Sequence, residues 1–414
     1  MLRRVLTFLA PAAIVAAALP LRALPAQESG VIAITNVHVV NGVDATRLRN
    51  ATIVVRGGKI VSITERGAAP AGARVIDAAG RWAAPGMIDA HTHISTLANA
   101  RRALNSGVTT VRSASVGAFQ DVAMRDEAKA GQIWAPDVLA TGVFISPDLS
   151  ETILADARLG ALSGGVRTPE ALRLVVQVNA DRGVNWIKTR GTERAGLVET
   201  DPRQQTYTEA QLRIIVEEAA KRGIPVMAHA HGDEGAYAAV AAGVKSIEHG
   251  TYLSDSTLRL MKQKGVWLVP TLSTIVDLTT PGGDYDAPEL QLRGQHMAPQ
   301  IEDVIRRAHA MGVRIASGAD TDYHRESTTR IAHEVMRFVG LGMTTVEAFA
   351  TATSGAAELI GVGSTTGRLA VGYEADLILL EHDPLERIFT LQDPLLVMTN
   401  GRIALNRTPF GLRD

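Results

Sequence analysis

The chain has no cysteine in its 414 residues. Disulfides and thiolate ligands are therefore excluded, and any metal must be held by His, Asp, Glu or a modified side chain. It also lacks a charge bias, with 42 basic residues against 43 acidic ones. That balance argues against a nucleic-acid surface and against a polybasic membrane patch. No low-complexity tract is present, and no run beyond the N-terminal segment is long and apolar enough to span a bilayer. What is abundant is apolar residues, at 46%. That is enough for a sizeable core, and the length allows one large domain plus a smaller one.

The first residues, "MLRRVLTFLAPAAIVAAALPLRALPAQESG", place Arg3 and Arg4 before an apolar stretch from Val5 to Leu19, followed by small residues near Ala26. This is the pattern of a secretory signal peptide, expected over 1–26. The apolar stretch is short of the roughly 20 residues a spanning helix needs. A soluble periplasmic or secreted protein is expected, with no stable membrane insertion after cleavage.

Short Val- and Ile-rich runs follow, "VIAITNVHVVNG", "ATIVVRGGKIVSITE" and "ARVIDAAGRWAAPG", with "RGGKI" reading as a hairpin turn. Similar runs close the chain, "GRLAVGYEADLILLE" and "PLLVMTNGRIAL". Between them, apolar runs alternate with helical stretches such as "TEAQLRIIVEEAAKRG" and "DSTLRLMKQKG". In the first of these, Ala210, Leu212, Ile215, Val216 and Ala219 fall close to one helical face. The apolar runs are, in order, "GMIDAHTHI", "GVTTVRSAS", "DVLATGVFIS", "VNWIKTRG", "IPVMAHAHG", "KSIEHG", "VWLVPTLST" and "VRIASGAD". Eight strands alternating with helices predict an α/β fold, a parallel (β/α)8 TIM-like barrel over 85–360. The chain ends, 27–84 and 361–414, are expected to pair into one small β-sandwich beside it.

His91 and His93 end the first run one residue apart, so on a strand both point to one face. A pair of this kind suits a divalent metal, and it also suits a solvated surface strand. Barrel active sites sit at the C-terminal strand ends, so the endings of the other runs decide. The fourth carries Lys188, the fifth His229 and His231, the sixth His249 and the eighth Asp320. Five of the 11 histidines thus fall at the ends of three strands. Without cysteine, such a convergence makes metal-activated hydroxide the natural chemistry. Lys188 fits less readily. A protonated ammonium repels cations, but a lysine buried near them loses its proton more easily. Its free amine can take up carbon dioxide as a carbamate.

The motifs "APGMIDAHTH", "VNWIKT", "VMAHAHG", "SIEHGTYL", "ASGAD" and "GRLAVGYEADLILLEHDPL" occur in this order and cover nearly all of the chain after the signal segment. The sequence resembles the amidohydrolase superfamily, most closely its binuclear prolidase-like and ochratoxinase-like branch. The resemblance implies hydrolysis of an amide bond beside a free carboxylate, as in a dipeptide or N-acyl amino acid. It implies two divalent ions, zinc first, and a CO2-derived carbamate on Lys188. His91, His93 and Asp320 would hold one ion and His229 and His249 the other, with carboxylated Lys188 and a hydroxide between them. Asp320 would serve as general base and then acid. His229 is preferred to His231 for its spacing to His249, and His231 would then contact substrate.

The sequence departs from dipeptidase relatives where they carry "GGHG" after the third strand. Here the stretch reads "TGVFISPDLSETI", without histidine. Arg190, Arg194, Tyr252, His324 and Arg325 are the alternative contacts for an anionic substrate group. "TTPGGDYDAPELQLRGQHMAP" is expected to form a lid or a plain surface loop. Lactones, carbamates and phosphotriesters are alternative substrates for the same chemistry, and a non-catalytic exported binding protein is a third reading. The partner expected is a small molecule. Paired barrels are common among relatives, so a homo-oligomer is compatible with the reading.

Overall fold

The computed structural model describes residues 30–282 and 285–408; the expected signal peptide lies outside them. The described chain opens with strands β1 (Ile32–Val40), β2 (Arg47–Arg56), β3 (Lys59–Glu65), β4 (Arg74–Asp77) and β5 (Trp82–Pro85). Strands β2 and β3 form the expected hairpin, with Arg56 opposite Lys59 across Gly57 and Gly58. Both glycines have positive φ, as a two-residue turn matched to strand twist requires.

The middle of the chain alternates strand and helix. It runs β6 (Met87–Thr92), α1 (Leu97–Asn105), β7 (Val108–Ser113), α2 (Gln120–Lys129), β8 (Asp137–Leu139), α3 (Pro169–Asp181) and β9 (Ile187–Arg190). It continues with α4 (Glu209–Ala220), β10 (Val226–Ala230), α5 (Asp233–Ala242), β11 (Ser246–His249), α6 (Asp255–Lys264), β12 (Trp267–Val269), α7 (Leu272–Asp277) and α8 (Pro288–Met311). Helix starts follow local chemistry. Thr208 caps α4 and exchanges hydrogen bonds with Gln211 in a capping box. Ser254 caps α6, and Gly265 ends it in the left-handed conformation. On α4 the expected face holds in part. Leu212, Ile215 and Ala219 are buried, whereas Val216 is half-buried and Ala210 exposed. The stretch expected to be a lid or loop is instead largely the start of α8.

The parallel strands form two sheets, β6-β7-β8 and β9-β10-β11-β12. Seven of the eight expected strands are present. The eighth, "VRIASGAD", is not a regular strand, and the ladders do not close into one continuous barrel sheet. Isolated bridges tie the two sheets instead, at Ile145–Thr189, Leu268–Ile315 and Thr92–Thr321. The eighth segment fails to form a ladder because its amide donors go to unlike partners. Ala316 N–H reaches Leu268 O, Ser317 N–H reaches Thr351 O and Asp320 N–H reaches His91 O. Ala319 N–H donates to the Asp89 side chain.

After α9 (Ile331–Gly340), α10 (Thr345–Thr351) and α11 (Ser354–Ile360) come β13 (Leu377–Leu380), β14 (Leu396–Thr399) and β15 (Arg402–Asn406). The two chain ends do meet, but in a single eight-stranded mixed sheet rather than as two stacked sheets. Its order is β15-β14-β13-β5-β1-β2-β3, with β4 on β1. The splice is β5, parallel to β1 through Trp82 and Ala83 and antiparallel to β13. One apolar cluster, including Ile34, Ile53, Ile60, Leu377, Leu379 and Met398, joins strands from both ends. Burying such side chains contributes about 1.5–3 kcal/mol each, which outweighs the cost of bringing distant segments together.

Candidate active site

The C-terminal strand ends surround a cavity of about 360 Å³ lined by His91, His93, Lys188, His229, His231, His249 and Asp320. Ladder register sets the placement. Lys188 pairs with Met227, and Ala230 pairs with His249, on neighbouring parallel strands. Two candidate ligand side chains sit on left-handed backbone, His249 with φ 71° and Asp320 with φ 48°. For non-glycine residues this costs on the order of 1–3 kcal/mol each, and such strain clusters at functional sites. Gly318 gives the space that brings the eighth segment onto β6. A Cβ there would meet His91 Cβ and Val269 Cγ1 at 2.7 Å.

The hydrogen bonds settle which ring nitrogens are bare. His93 Nδ1 donates to Ser115 O at 2.7 Å, so its Nε2 carries a lone pair when neutral. His91 Nδ1 donates to Glu248 Oε2 at 2.7 Å, with the same consequence. Both Nε2 atoms face Asp320 Oδ1, at 3.3 Å from His91 and 3.0 Å from His93. Two lone pairs and a carboxylate oxygen converging in this way repel unless a positive charge sits among them. A cation satisfies the arrangement. On the other side, His229 Nε2 donates to Glu193 O at 3.0 Å, leaving Nδ1 bare. His231 and His249 direct Nδ1 at the hydroxyls of Thr251 and Thr271.

Burial pushes His229 and His249 well below the ordinary imidazole range, and neighbouring imidazoles add to the effect. His231 is brought down to about 3, again chiefly by burial. These rings are therefore neutral, the form that binds metal. Potential ligand atoms of His229, His231 and His249 lie within 4.8 Å of one another, as do those of His91, His93 and Asp320. Either group could hold a cation, and the geometry does not separate His229 from His231. Rings of His231 and His249 stack at 4.6 Å.

Lys188 lines the same cavity as both groups. It is 2% exposed, and its Nζ has no hydrogen-bond partner. Burial lowers its pKa to about 8, against the pull of Glu248 and Asp320. A buried amine with no acceptor costs free energy unless it is neutralised or modified.

A second set of residues holds the candidate ligands in place, and the motifs assigned none of them a role. Arg112, fully buried, donates to Ala90 O, to Ser246 Oγ and to both Glu248 oxygens at 3.0 and 3.1 Å. Its guanidinium also stacks 4.6 Å from the Trp186 ring. Burial alone would raise Glu248, but Arg112 and then His91 outweigh it and hold the carboxyl at about 2. Asp89 Oδ1 accepts from His91 N–H and Ala319 N–H, and Oδ2 accepts from the Tyr323 hydroxyl. It thereby ties the backbones next to His91 and Asp320. A charged Arg112 inside the run "TTVRSAS" and Glu248 beside His249 were the available sequence signals. Phe144 and Tyr285 also line the cavity, and no motif marked either of them.

The expected substrate contacts divide. Arg194 lines the cavity. Arg190 does not, and it pairs with Glu193 at 2.9 Å. Tyr252 also lies off the cavity, near His296 with 6.1 Å between rings. His324 pairs with Asp322 at 2.8 Å and is outside the lining, and Arg325 is exposed.

Over 315 residues the chain is 32% identical to ochratoxinase from Aspergillus niger, a match spanning 71% of this chain and 64% of that protein. It thus covers less than two thirds of that relative's length. The crystal structure of a Xaa-Pro dipeptidase with bound methionine in its active site aligns with a TM-score of 0.81 at 25% identity, covering 90% of this chain and 99% of that one. The Aspergillus niger ochratoxinase structure aligns with a TM-score of 0.77 at 26% identity, covering 92% and 96%. The amidohydrolase family matches residues 82–404. That span contains every candidate ligand at the strand ends from His91 to Asp320, and the chain belongs to the amidohydrolase family.

Proposed function

We propose that the protein is a metal-dependent hydrolase of amide bonds, acting on a dipeptide or N-acyl amino acid with a free carboxylate. The observation that carries this reading is Lys188, a buried amine without a hydrogen-bond partner in the cavity that two groups of metal-competent side chains line. As a carbamate it would offer an oxygen to each side. His91, His93 and Asp320 would hold one divalent ion, and His229 and His249 the other, with zinc the first expectation for imidazole and carboxylate donors. Such ions polarise a carbonyl and lower the pKa of water towards about 7.

The chain's own residues then manage the proton and the substrate. Asp320 Oδ1 is committed to His91 and His93, while Oδ2 lies 3.9 Å from His249 Nδ1 and is freer. Oδ2 is the atom suited to take the proton of the attacking water and pass it to the leaving amine. His231, neutral and with Nε2 not engaged by Thr251, donates to or accepts from the substrate. Arg194 would replace the missing loop histidine as the carboxylate contact. It lines the cavity, and no protein carboxylate pairs with its guanidinium among the described residues.

The same reading takes 85–360 as a (β/α)8 barrel with an irregular eighth strand and 27–84 with 361–414 as its companion domain. It takes 1–26 as an export signal and leaves a homo-oligomer open to measurement. The test is a zinc-reconstituted assay with N-acyl amino acids, dipeptides, lactones and a phosphotriester, alongside metal analysis. Amides with a free carboxylate should turn over fastest, with two ions per chain, and Lys188→Met should lose both ions and turnover. Turnover of lactones or phosphotriesters alone would refute the substrate class. A protein without bound metal, or full activity in Lys188→Met, would refute the mechanism.

A further inference from the structure

A second cavity, about 950 Å³ and larger than the one at the histidine-bearing strand ends, lies at the opposite ends of the same strands. Asp137 at the start of β8, Asn185 before β9 and Pro225 before β10 contribute to its wall, as do Glu374 before β13 and Asn400 in the turn between β14 and β15. One group of side chains there stands out. Carboxylate oxygens of Asp137, Glu374 and Asp376 lie within 4.8 Å of one another. Asp137 starts β8 of a parallel sheet, whereas Glu374 and Asp376 lie in the segment leading into β13, so the fold has brought three acidic groups together across a junction.

Among the described residues no cation forms an ion pair with them, although Lys129 and Lys59 act on Asp137 and Glu374 from a greater distance. Both Asp137 oxygens accept from Asn400 Nδ2 at 3.1 Å. Asp376 accepts from Asn400 N–H at 2.7 Å and from the Thr366 hydroxyl at 2.6 Å. All these donors are uncharged, and each accepting oxygen keeps lone-pair capacity. Lys129 and Arg402 line the cavity too, but neither forms an ion pair with the three among the described residues. Arg402 is placed over the Trp134 ring, 4.1 Å from its centroid.

A second, independent observation points to a ligand. Thr110 is 1% exposed, lines this cavity, and its hydroxyl has no hydrogen-bond partner. Thr110 is the ladder partner of Asp137, so the two side chains leave the sheet on the same face. A buried hydroxyl left unmatched is costly, and this one makes no hydrogen bond although its ladder partner is an aspartate. A bound ion would use its lone pair.

We propose that Asp137, Glu374 and Asp376, together with the Thr110 hydroxyl, form a second cation site that ties the mixed sheet to the base of the parallel strands. All four donors are oxygens. That selects a hard ion of the calcium class over zinc, which favours the imidazoles at the other strand ends. Ca2+ tolerates irregular oxygen geometry and retained waters, whereas Mg2+ demands a near-ideal octahedron. The role is structural, because the site lies at the far ends of the strands from the catalytic cavity.

The test uses the full chain with zinc loaded. Ca2+ is titrated by calorimetry and by thermal unfolding. One Ca2+ per chain is expected beyond the zinc, with a dissociation constant of about 10⁻⁴ to 10⁻³ M, the weak end of the range for oxygen-donor Ca2+ sites. Its binding should raise the unfolding midpoint. Glu374→Gln should weaken it at least about tenfold and remove the thermal shift, since a charged ligand is lost. Thr110→Val provides a milder variant should the carboxylate changes impair folding, and it should weaken Ca2+ by a smaller factor. Lys188→Met should bind Ca2+ as the parent does. The proposal is overturned if the parent takes up no Ca2+, if Glu374→Gln binds it equally well, or if Lys188→Met abolishes the binding.

Discussion

Replacing Glu248 with glutamine removes one negative charge from a fully buried pair while keeping the side chain's size. Glu248 faces Arg112 through two hydrogen bonds at 3.0 and 3.1 Å, and both side chains are 0% exposed. Breaking a buried ion pair costs about 3–5 kcal/mol, because the remaining charge has no compensation. Arg112 keeps Ala90 O, Ser246 Oγ and the Trp186 face, which places the expected loss near the lower end, about 3 kcal/mol. A second effect follows from His91. Its Nδ1 would face a neutral amide oxygen or an amide NH2, so the charge-assisted bond that fixes ring and tautomer is lost. Changes of this kind cost roughly 10–100-fold in metal affinity. Urea unfolding of the metal-free protein measures the first quantity, and zinc competition with a chelating dye measures the second. The double variant with Arg112→Met should lose less than the sum of its parts, by about 0.5–3 kcal/mol. A stability loss below about 1 kcal/mol with unchanged zinc affinity would refute the relay from Arg112 through Glu248 to His91.

Arg194→Met should raise KM for carboxylate-bearing amides about 10–100-fold, the equivalent of a charged hydrogen bond of about 1.5–3 kcal/mol, with uncarboxylated amides unaffected; steady-state kinetics on matched substrates checks it. Gly318→Ala should destabilise by about 1–3 kcal/mol through overpacking against His91 and Val269, and should lower activity by displacing His91; unfolding and activity assays read both. Glu334 is buried beneath α7 residues Leu272 and Ser273, and burial raises it from 4.5 to about 7 despite three donors. The folded state therefore holds its proton between pH 4.5 and 7 while the unfolded chain does not. Its stabilising contribution is complete below pH 4.5 and is lost as pH rises through 7, a fall of about 3 kcal/mol. Glu334→Gln should flatten that limb of the stability–pH curve, and an unaltered limb would show the assignment wrong.

Residue order alone determined the alternation of strands and helices, the hairpin at Gly57 and Gly58, and the collection of His91, His93, Lys188, His229, His231, His249 and Asp320. Periodicity of apolar residues is local, and a strand end is a place the sequence can mark with a polar residue. Tertiary structure decided everything that depends on contacts between distant segments. It spliced the two ends into one sheet through β5, and it broke the eighth strand by sending its amides to Thr351 and Asp89. It left Arg190, Tyr252 and His324 off the cavity while bringing in Phe144, Arg194 and Tyr285. Asp89 and Glu248 lie within the motifs and Arg112 within the second apolar run, but their work is to hold other residues, and only packing reveals which. The three acidic groups of the far cavity, 237 residues apart from Asp137 to Glu374, are likewise unreadable as a group until the chain is folded, since electrostatics acts through distance in space and not along the sequence.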